Sequence, residues 1–331
     1  MGIARAQAAV NIGAQIFSGP MQISGKVLVC DAIDQAGIKS LKGVGMTVDY
    51  LPDIAAAELI SRVKDYHVII VRSRTKITKE VIDAAINAKI IARVGVGLDN
   101  IDISAADLRN VRVINAAEAA INAVSELAIG HMISLARSIP YADSETKKGH
   151  WVKKDLTGVE LKGKYLGIIG VGNIGRNVAR IAKALRMNLI GYDLYPINKD
   201  FVREVGLITA DLDTLVASAD FITCHVPLTN ETRHMFNTAR FSKMKKNAFI
   251  INTSRGQIID ENALHNALTS GKIAGAALDV FEIEPPVNKM LIELPNVVCT
   301  PHIGSQTQEA QQLASTVIAE KIIQSFRGSD Q

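Results

Sequence analysis

YLGIIGVGNIGRNVARIAKAL (165–185) decides the fold. It opens on an apolar run, turns through Gly170, Gly172 and Gly175 in G-x-G-x-x-G spacing, and continues from Ile174 to Leu185 as an amphipathic helical pattern. A second apolar run, NLIGY (188–192), follows and ends in Asp193, roughly 20 residues past the glycines. Strand, glycine turn, helix, strand and acid in this order make the dinucleotide fingerprint. Gly170 permits the tight turn, Gly172 lets a pyrophosphate approach the backbone, and Gly175 lets helix and strand pack closely. Exposed N–H groups at the helix start would meet phosphate charge. Asp193 would accept hydrogen bonds from adenine ribose hydroxyls and repel a 2′-phosphate, so NAD is expected over NADP.

The same alternation extends in both directions. Downstream come DFITCHVP (220–227), AFIINTSRG (248–256), GAALDVF (275–281) and NVVCTPHIG (296–304). Upstream lie KVLVC (26–30), HVIIV (67–71) and KIIARV (89–94), separated by helical patterns such as AAAELISRVKDY (55–66) and KEVIDAAINA (79–88). Strands alternating with helices at this spacing predict an α/β protein with two Rossmann-like or flavodoxin-like parallel-sheet domains. INAVSELAIGHMISLARSI (121–139) reads as a helix joining the two series, ended by Pro140. QEAQQLASTVIAEKIIQSF (308–326) is a last helix.

Composition fits this class. The chain has 331 residues, 48% apolar and 21% charged, with a net charge of +4. Its basic residues are scattered and aromatics are 5%, so no nucleic-acid partner is expected. No apolar stretch reads as long enough to span a bilayer, and no membrane partner is expected. Cys30, Cys224 and Cys299 form no C-x-x-C pair, so they read as buried reduced thiols in a cytoplasmic protein, without metal or disulfide. The stretch before Cys30 has no Asp or Glu. A targeting peptide would carry more arginine, so residues 1–25 read as an extension before a fold that begins at Lys26.

In open parallel sheets, ligands lie beyond the carboxyl ends of the strands. Three later strands end in chemistry-bearing residues: Arg255 after AFIIN, Glu284 (with Glu282 its rival) after GAALDVF, and His302 after NVVCT. Arg255 can grip a carboxylate through two parallel hydrogen bonds. His302 can take a hydroxyl proton as hydride leaves, and Glu284 beside it would favour the imidazolium. Each of the three alone would read as a surface charge or a structural histidine. Their conjunction downstream of a dinucleotide turn reads as a site for hydride transfer.

VRSRTKIT (71–78), RVGVGLDNID (93–102), GIIGVGNIGRNVA (167–179), INTSRGQIIDE (251–261), GAALDVFEIEPP (275–286) and TPHIGSQTQEAQ (300–311) resemble the D-isomer-specific 2-hydroxyacid dehydrogenase family over about residues 26–328. The resemblance implies a catalytic set of Arg255, Glu284 and His302. It implies that Asn173, Ile174, Asp193, Pro227, Thr253 and Asp279 touch NAD, Asp279 at the nicotinamide carboxamide, with His225 and Gly304 lining the same site. It implies a discontinuous substrate domain of 26–116 plus 304–331, an NAD domain of 117–303, and a homodimer. Within the family a phosphorylated substrate is expected. Arg72, Ser73 and Arg74, with Lys76 close by, could hold a phosphate. Val96 and Gly97 would bring backbone N–H groups to the substrate carboxylate, and TQEAQ resembles members acting on phosphoglycerate, with Gln311 at a position that reaches substrate.

One departure stands out. Some such members carry Asn and Ser where AAINAVSEL has Ala120 and Ala123, so one substrate contact is missing or moved to Asn122. The expected reaction is oxidation of 3-phospho-D-glycerate to 3-phosphohydroxypyruvate, toward serine. Reduction of glyoxylate or hydroxypyruvate is the nearest alternative, and an NAD-sensing corepressor is a rival of a different class. No regulatory domain is expected after the last helix.

Overall fold

The computed structural model describes residues 23–328. Residues 1–22, most of the expected extension, lie outside the described residues. The chain divides into two compact units: one of residues 23–93, 98–114 and 315–328, the other of 94–97 and 115–314.

The first unit is built on five strands: β1 (Lys26–Val29), β2 (Thr47–Tyr50), β3 (Val68–Val71), β4 (Ile90–Arg93) and β5 (Arg112–Asn115). They lie in the order β2-β1-β3-β4-β5, the flavodoxin-like doubly wound arrangement. β1 pairs in parallel with β2 and β3, and β3 with β4. All four residues of β3 are buried, as a strand covered by helices on both faces requires. The last helix, Gln308–Gly328, buries Ile318, Ala319 and Ile322. Ser315 Oγ accepts from Gly37 N (3.2 Å) and donates to Asp34 O (2.6 Å), which ties the end of the chain to its beginning. Ile23 is already buried and donates to Val44 O, so the packed unit takes in residues ahead of Lys26.

The second unit has seven strands: β6 (Tyr165–Ile169), β7 (Asn188–Tyr192), β8 (Leu207–Thr209), β9 (Phe221–Cys224), β10 (Phe249–Asn252), β11 (Gly275–Leu278) and β12 (Val297–Cys299). Their order is β12-β11-β10-β9-β6-β7-β8 with parallel pairings. The chain steps out from β6 to β8, then returns to β9 on the other side of β6, and this reversal opens the crevice where ligands bind in such sheets. Successive residues alternate between two apolar cores: Ile168 packs with Ala128, Met132 and Val178, and Ile169 with Leu215, Phe241 and Leu264.

Several elements differ from expectation. β2, β5 and β8 are edge or near-edge strands with mixed exposure and carry no apolar run to announce them. The connecting helix, Ile121–Arg137, ends at Ser138, which takes a left-handed conformation (φ 51°), and Pro140 stands in the first turn of the next helix, Ile139–Lys147. Proline fits a first turn because its missing N–H has no acceptor to lose there. Ala117–Arg137 is long and apolar enough to cross a membrane, contrary to the expectation that no stretch is. Its most apolar 18-residue window is 61% buried, and the helix packs on the helix Asn173–Ala184 and on β10, β11 and β12. Cys30 and Cys224 are buried, and burial pushes each thiol up to about 12. Cys299 is exposed, because β12 is an edge strand.

Candidate functional site

One row of paired residues crosses the second sheet at its carboxyl end: Tyr192, Ile169, Cys224, Asn252, Leu278 and Cys299. Asp193, Gly170, His225, Thr253 and Asp279 each come one residue after this row, and Pro227, Arg255 and His302 three residues after it. Register therefore brings the candidate residues to one edge of the sheet.

At the β6 end, Gly172 stands at the N-cap of the helix Asn173–Ala184, and no side chain caps it. Asn173 and Ile174 are its first residues. The orphan N–H groups of that turn point to an acceptor from outside the chain. A side chain at Gly175 would put Cβ 2.0 Å from Gly170 O, so only glycine lets the helix start so close to the turn. A Cβ at Gly172 would meet nothing within 4 Å, which leaves the backbone open to approach. Asp193 Oδ2 accepts from Val171 N (2.7 Å) and Oδ1 from Tyr195 N (3.0 Å), so the carboxylate is oriented and keeps lone pairs for hydroxyls. Two buried polar atoms one residue past the row, His225 Nδ1 and Thr253 Oγ1, have no hydrogen-bond partner. A helix start without a cap, an oriented carboxylate and two orphaned polar atoms fit a dinucleotide. Burial pushes the His225 ring down to about 4, and its Nε2 lies 2.9 Å from Thr223 Oγ1. It is neutral near pH 7.

At the β10–β12 end, His302 Nδ1 lies 2.7 Å from Glu284 Oε2. Glu284 Oε1 accepts from Phe281 N (3.2 Å). Glu282 is used differently: its Oε1 accepts from Glu261 N (2.9 Å) and its N–H donates to Glu261 Oε1 (2.8 Å), at the start of the helix Glu261–Thr269. The structure thus separates the two glutamates that spacing alone leaves as rivals. The Arg255 turn is held by buried Asn252, whose Nδ2 donates to Arg255 O (2.9 Å) and whose Oδ1 accepts from Ser254 Oγ (2.8 Å). Arg255 Nη1 donates to Ser254 O (2.7 Å). A Cβ at Gly256 would lie 1.9 Å from Phe281 C and O, so the Arg255 loop passes directly against the loop that leads to Glu284.

Asp279 is buried and its carboxylate is engaged within the protein. Oδ1 accepts from Thr300 Oγ1 (2.6 Å) and Ile303 N (2.8 Å), and Oδ2 from Gly304 N (2.9 Å). Thr300 Oγ1 also lies 3.1 Å from His131 Nε2. Neither Thr300 nor His131 drew notice in the sequence, since a histidine in an apolar helix pattern reads as core and its partner is 169 residues away.

In the first unit, the segment after β3 is held by buried Asp31, which accepts from Arg72 N (2.5 Å) and Thr75 Oγ1 (2.6 Å). Arg74 does more than the sequence suggests. Its Nη2 donates to Cys30 O (2.8 Å) and Pro52 O (2.7 Å), and its Nε lies 3.3 Å from Asp31. Elsewhere, Asn115 Nδ2 donates to Val96 O (2.6 Å), which straps the segment bearing Val96 and Gly97. Gln311 Nε2 donates to Gln306 Oε1 (2.9 Å). Asn122 Oδ1 accepts from Asn177 Nδ2 (3.2 Å), while Ala120 and Ala123 are buried.

Comparison with known proteins places the chain in a family. The chain is 47% identical over 304 residues to D-3-phosphoglycerate dehydrogenase of Methanocaldococcus jannaschii, covering 92% of this chain and 58% of that protein. It thus spans little more than half the length of that relative. It is 47% identical to hydroxypyruvate reductase of Thermotoga maritima, covering 80% of this chain and 86% of that protein. The crystal structure of a glyoxylate reductase from Paecilomyes thermophila superposes with a TM-score of 0.84 at 31% identity, covering 92% of this chain and 95% of that one. Residues 129–304 match the description D-isomer specific 2-hydroxyacid dehydrogenase, NAD binding domain, and the chain belongs to that family.

Proposed function

We propose that this protein is an NAD-dependent dehydrogenase that oxidises 3-phospho-D-glycerate to 3-phosphohydroxypyruvate, toward serine, as a cytoplasmic homodimer. The observation that carries the reading is the 2.7 Å contact between His302 Nδ1 and Glu284 Oε2. A carboxylate there fixes the N–H on Nδ1 and leaves the Nε2 lone pair to accept a proton. As C2–H leaves with its electron pair, the hydroxyl O–H breaks, its proton passes to His302 Nε2, and the C=O bond forms. Bound NAD supplies the acceptor for that hydride. Arg255 holds the carboxylate and the forming carbonyl oxygen, and Glu284 stabilises the imidazolium. N–H groups of Val96 and Gly97 bind the carboxylate, Gln311 contacts substrate, and Arg72 with Ser73 holds the phosphate. Arg74 serves that loop chiefly by bracing it, because its guanidinium already donates to backbone carbonyls.

The test follows NADH absorbance with 3-phospho-D-glycerate and NAD, then in reverse with 3-phosphohydroxypyruvate, glyoxylate and hydroxypyruvate. Strong preference for the phosphorylated pair is expected. His302→Ala is expected to lower kcat by about 10²- to 10⁴-fold while NADH still binds. A second reading, reduction of hydroxypyruvate or glyoxylate with the same residues, is supported by the Thermotoga maritima relative and by the engagement of Arg74. Preference for an unphosphorylated acid would select it. Absence of turnover with every acid, NADH binding intact, would sink both.

A further inference from the structure

His131 is 3% exposed, on a helix otherwise buried through Val124, Ala128, Met132 and Leu135. An apolar side chain would fill that position as well, and a buried ring nitrogen requires a partner. The partner is Thr300, whose Oγ1 is 3.1 Å from His131 Nε2. A threonine hydroxyl has one hydrogen, and Thr300 directs it at Asp279 Oδ1, 2.6 Å away, which as a carboxylate only accepts. The hydroxyl oxygen must therefore accept from His131, which places a proton on Nε2. Beyond Thr300 the same carboxylate accepts from Ile303 N and Gly304 N, and the Asp279 carbonyl accepts from His302 N at 2.8 Å. His302 stands among these anchors at φ 53°, a left-handed backbone that an L-residue keeps only where its surroundings enforce it.

We propose that His131 is a positioning residue: by donating to Thr300 it keeps the 300–304 segment on Asp279 and so holds His302 in its left-handed backbone, with the imidazole on Glu284. The inference rests on the reading of His302 as proton carrier. Burial holds the His131 ring below the ordinary histidine range, the charge of Asp279 offsetting part of the effect, so the ring acts as a neutral donor.

The experiment compares His131→Met, which keeps volume and removes the donor, with His131→Gln, which keeps an N–H at similar reach. Turnover is measured with 3-phospho-D-glycerate and NAD, and amide hydrogen exchange is followed at His302, Ile303 and Gly304 in the full chain. His131→Met is expected to lower kcat roughly five- to tenfold, with KM for NAD within about twofold of wild type. Exchange at the three amides should speed by a similar factor, and His131→Gln should recover both. Wild-type turnover and exchange in His131→Met would overturn the proposal. So would a glutamine variant as impaired as the methionine one, or faster exchange with unchanged kcat. If the wild-type protein turns over no 2-hydroxy acid, the functional reading fails, and the exchange data alone still decide whether His131 holds the segment.

Discussion

Each unit contains a buried aspartate just past a strand, holding a loop that follows the neighbouring strand. Asp31 follows β1 and holds the 72–75 segment after β3; Asp279 follows β11 and holds the 300–304 segment after β12. Both accept a threonine hydroxyl at 2.6 Å, from Thr75 and Thr300. Both accept backbone N–H groups from the loop they hold. They differ in what faces the threonine. Beside Thr75 is the guanidinium of Arg74, half exposed and paired with Asp31 itself. Beside Thr300 is the buried ring of His131. The first clamp carries a permanent counter-charge at the surface, whereas the second depends on dipoles and on a titratable donor. The same device thus braces a loop of basic side chains in one unit and the loop of the proposed proton carrier in the other.

Removing the charge tests the likeness most severely. Asp279→Asn and Asp31→Asn each replace a carboxylate that accepts at least three hydrogen bonds, and each is expected to cost about 3 kcal/mol in urea unfolding. Their kinetics should part company. Asp279→Asn is expected to lower kcat about 100-fold, and Asp31→Asn to raise KM for the phosphorylated substrate about tenfold with kcat nearly kept. A fall in kcat of equal size in both would break the assignment of different tasks to the two clamps.

Deleting the hydroxyls probes the difference more finely. Thr75→Val loses hydrogen bonds beside a half-exposed arginine that can turn to water, and about 1 kcal/mol is expected. Thr300→Val also strands the buried His131 Nε2–H, so about 2 kcal/mol is expected. Equal losses by chemical denaturation would mean that His131 finds another acceptor.

The smallest effect is a slope with pH. Burial lowers the His131 pKa in the folded state, so between that value and the unfolded value of about 6.5 the unfolded chain binds more protons. Stability is therefore full above about 6.5 and falls as pH drops below it. His225, pushed down to about 4, adds a slope of the same sign to the same unit. Urea midpoints between pH 7.5 and 5 should fall less in His131→Gln than in wild type. Parallel curves would remove His131 from the acid response.

The dinucleotide turn, the strand ends bearing Arg255 and His302, and the two-sheet architecture were legible because each is local: an apolar run, a glycine spacing, a residue just past a strand. β2 and β8 were not, since a short edge strand with one face in water has no continuous apolar pattern. Pro140 reads as a stop in the sequence, whereas the left-handed residue that ends the helix is Ser138, a type that carries no signal for it. Glu284 could be preferred over Glu282 only by resemblance; the distinction lies in which one meets His302 and which one meets Glu261. Both clamps were invisible for one reason. Asp31 meets Thr75 across 44 residues and Thr300 meets His131 across 169, and no local pattern reports such contacts.

The close pass of Gly256 against Phe281 bears on how such a protein can be altered. At Gly256 the loop that presents Arg255 meets the loop that presents Glu284 with no room for even a methyl group, so a backbone change at that point in one must be matched in the other. Gly256→Ala is therefore expected to disturb both loops at once, and a library built on either should keep glycine there. In the first unit, Arg72 N, Arg74 and Thr75 are committed to the Asp31 clamp, so variation of the proposed phosphate loop is better placed at Ser73 and Lys76.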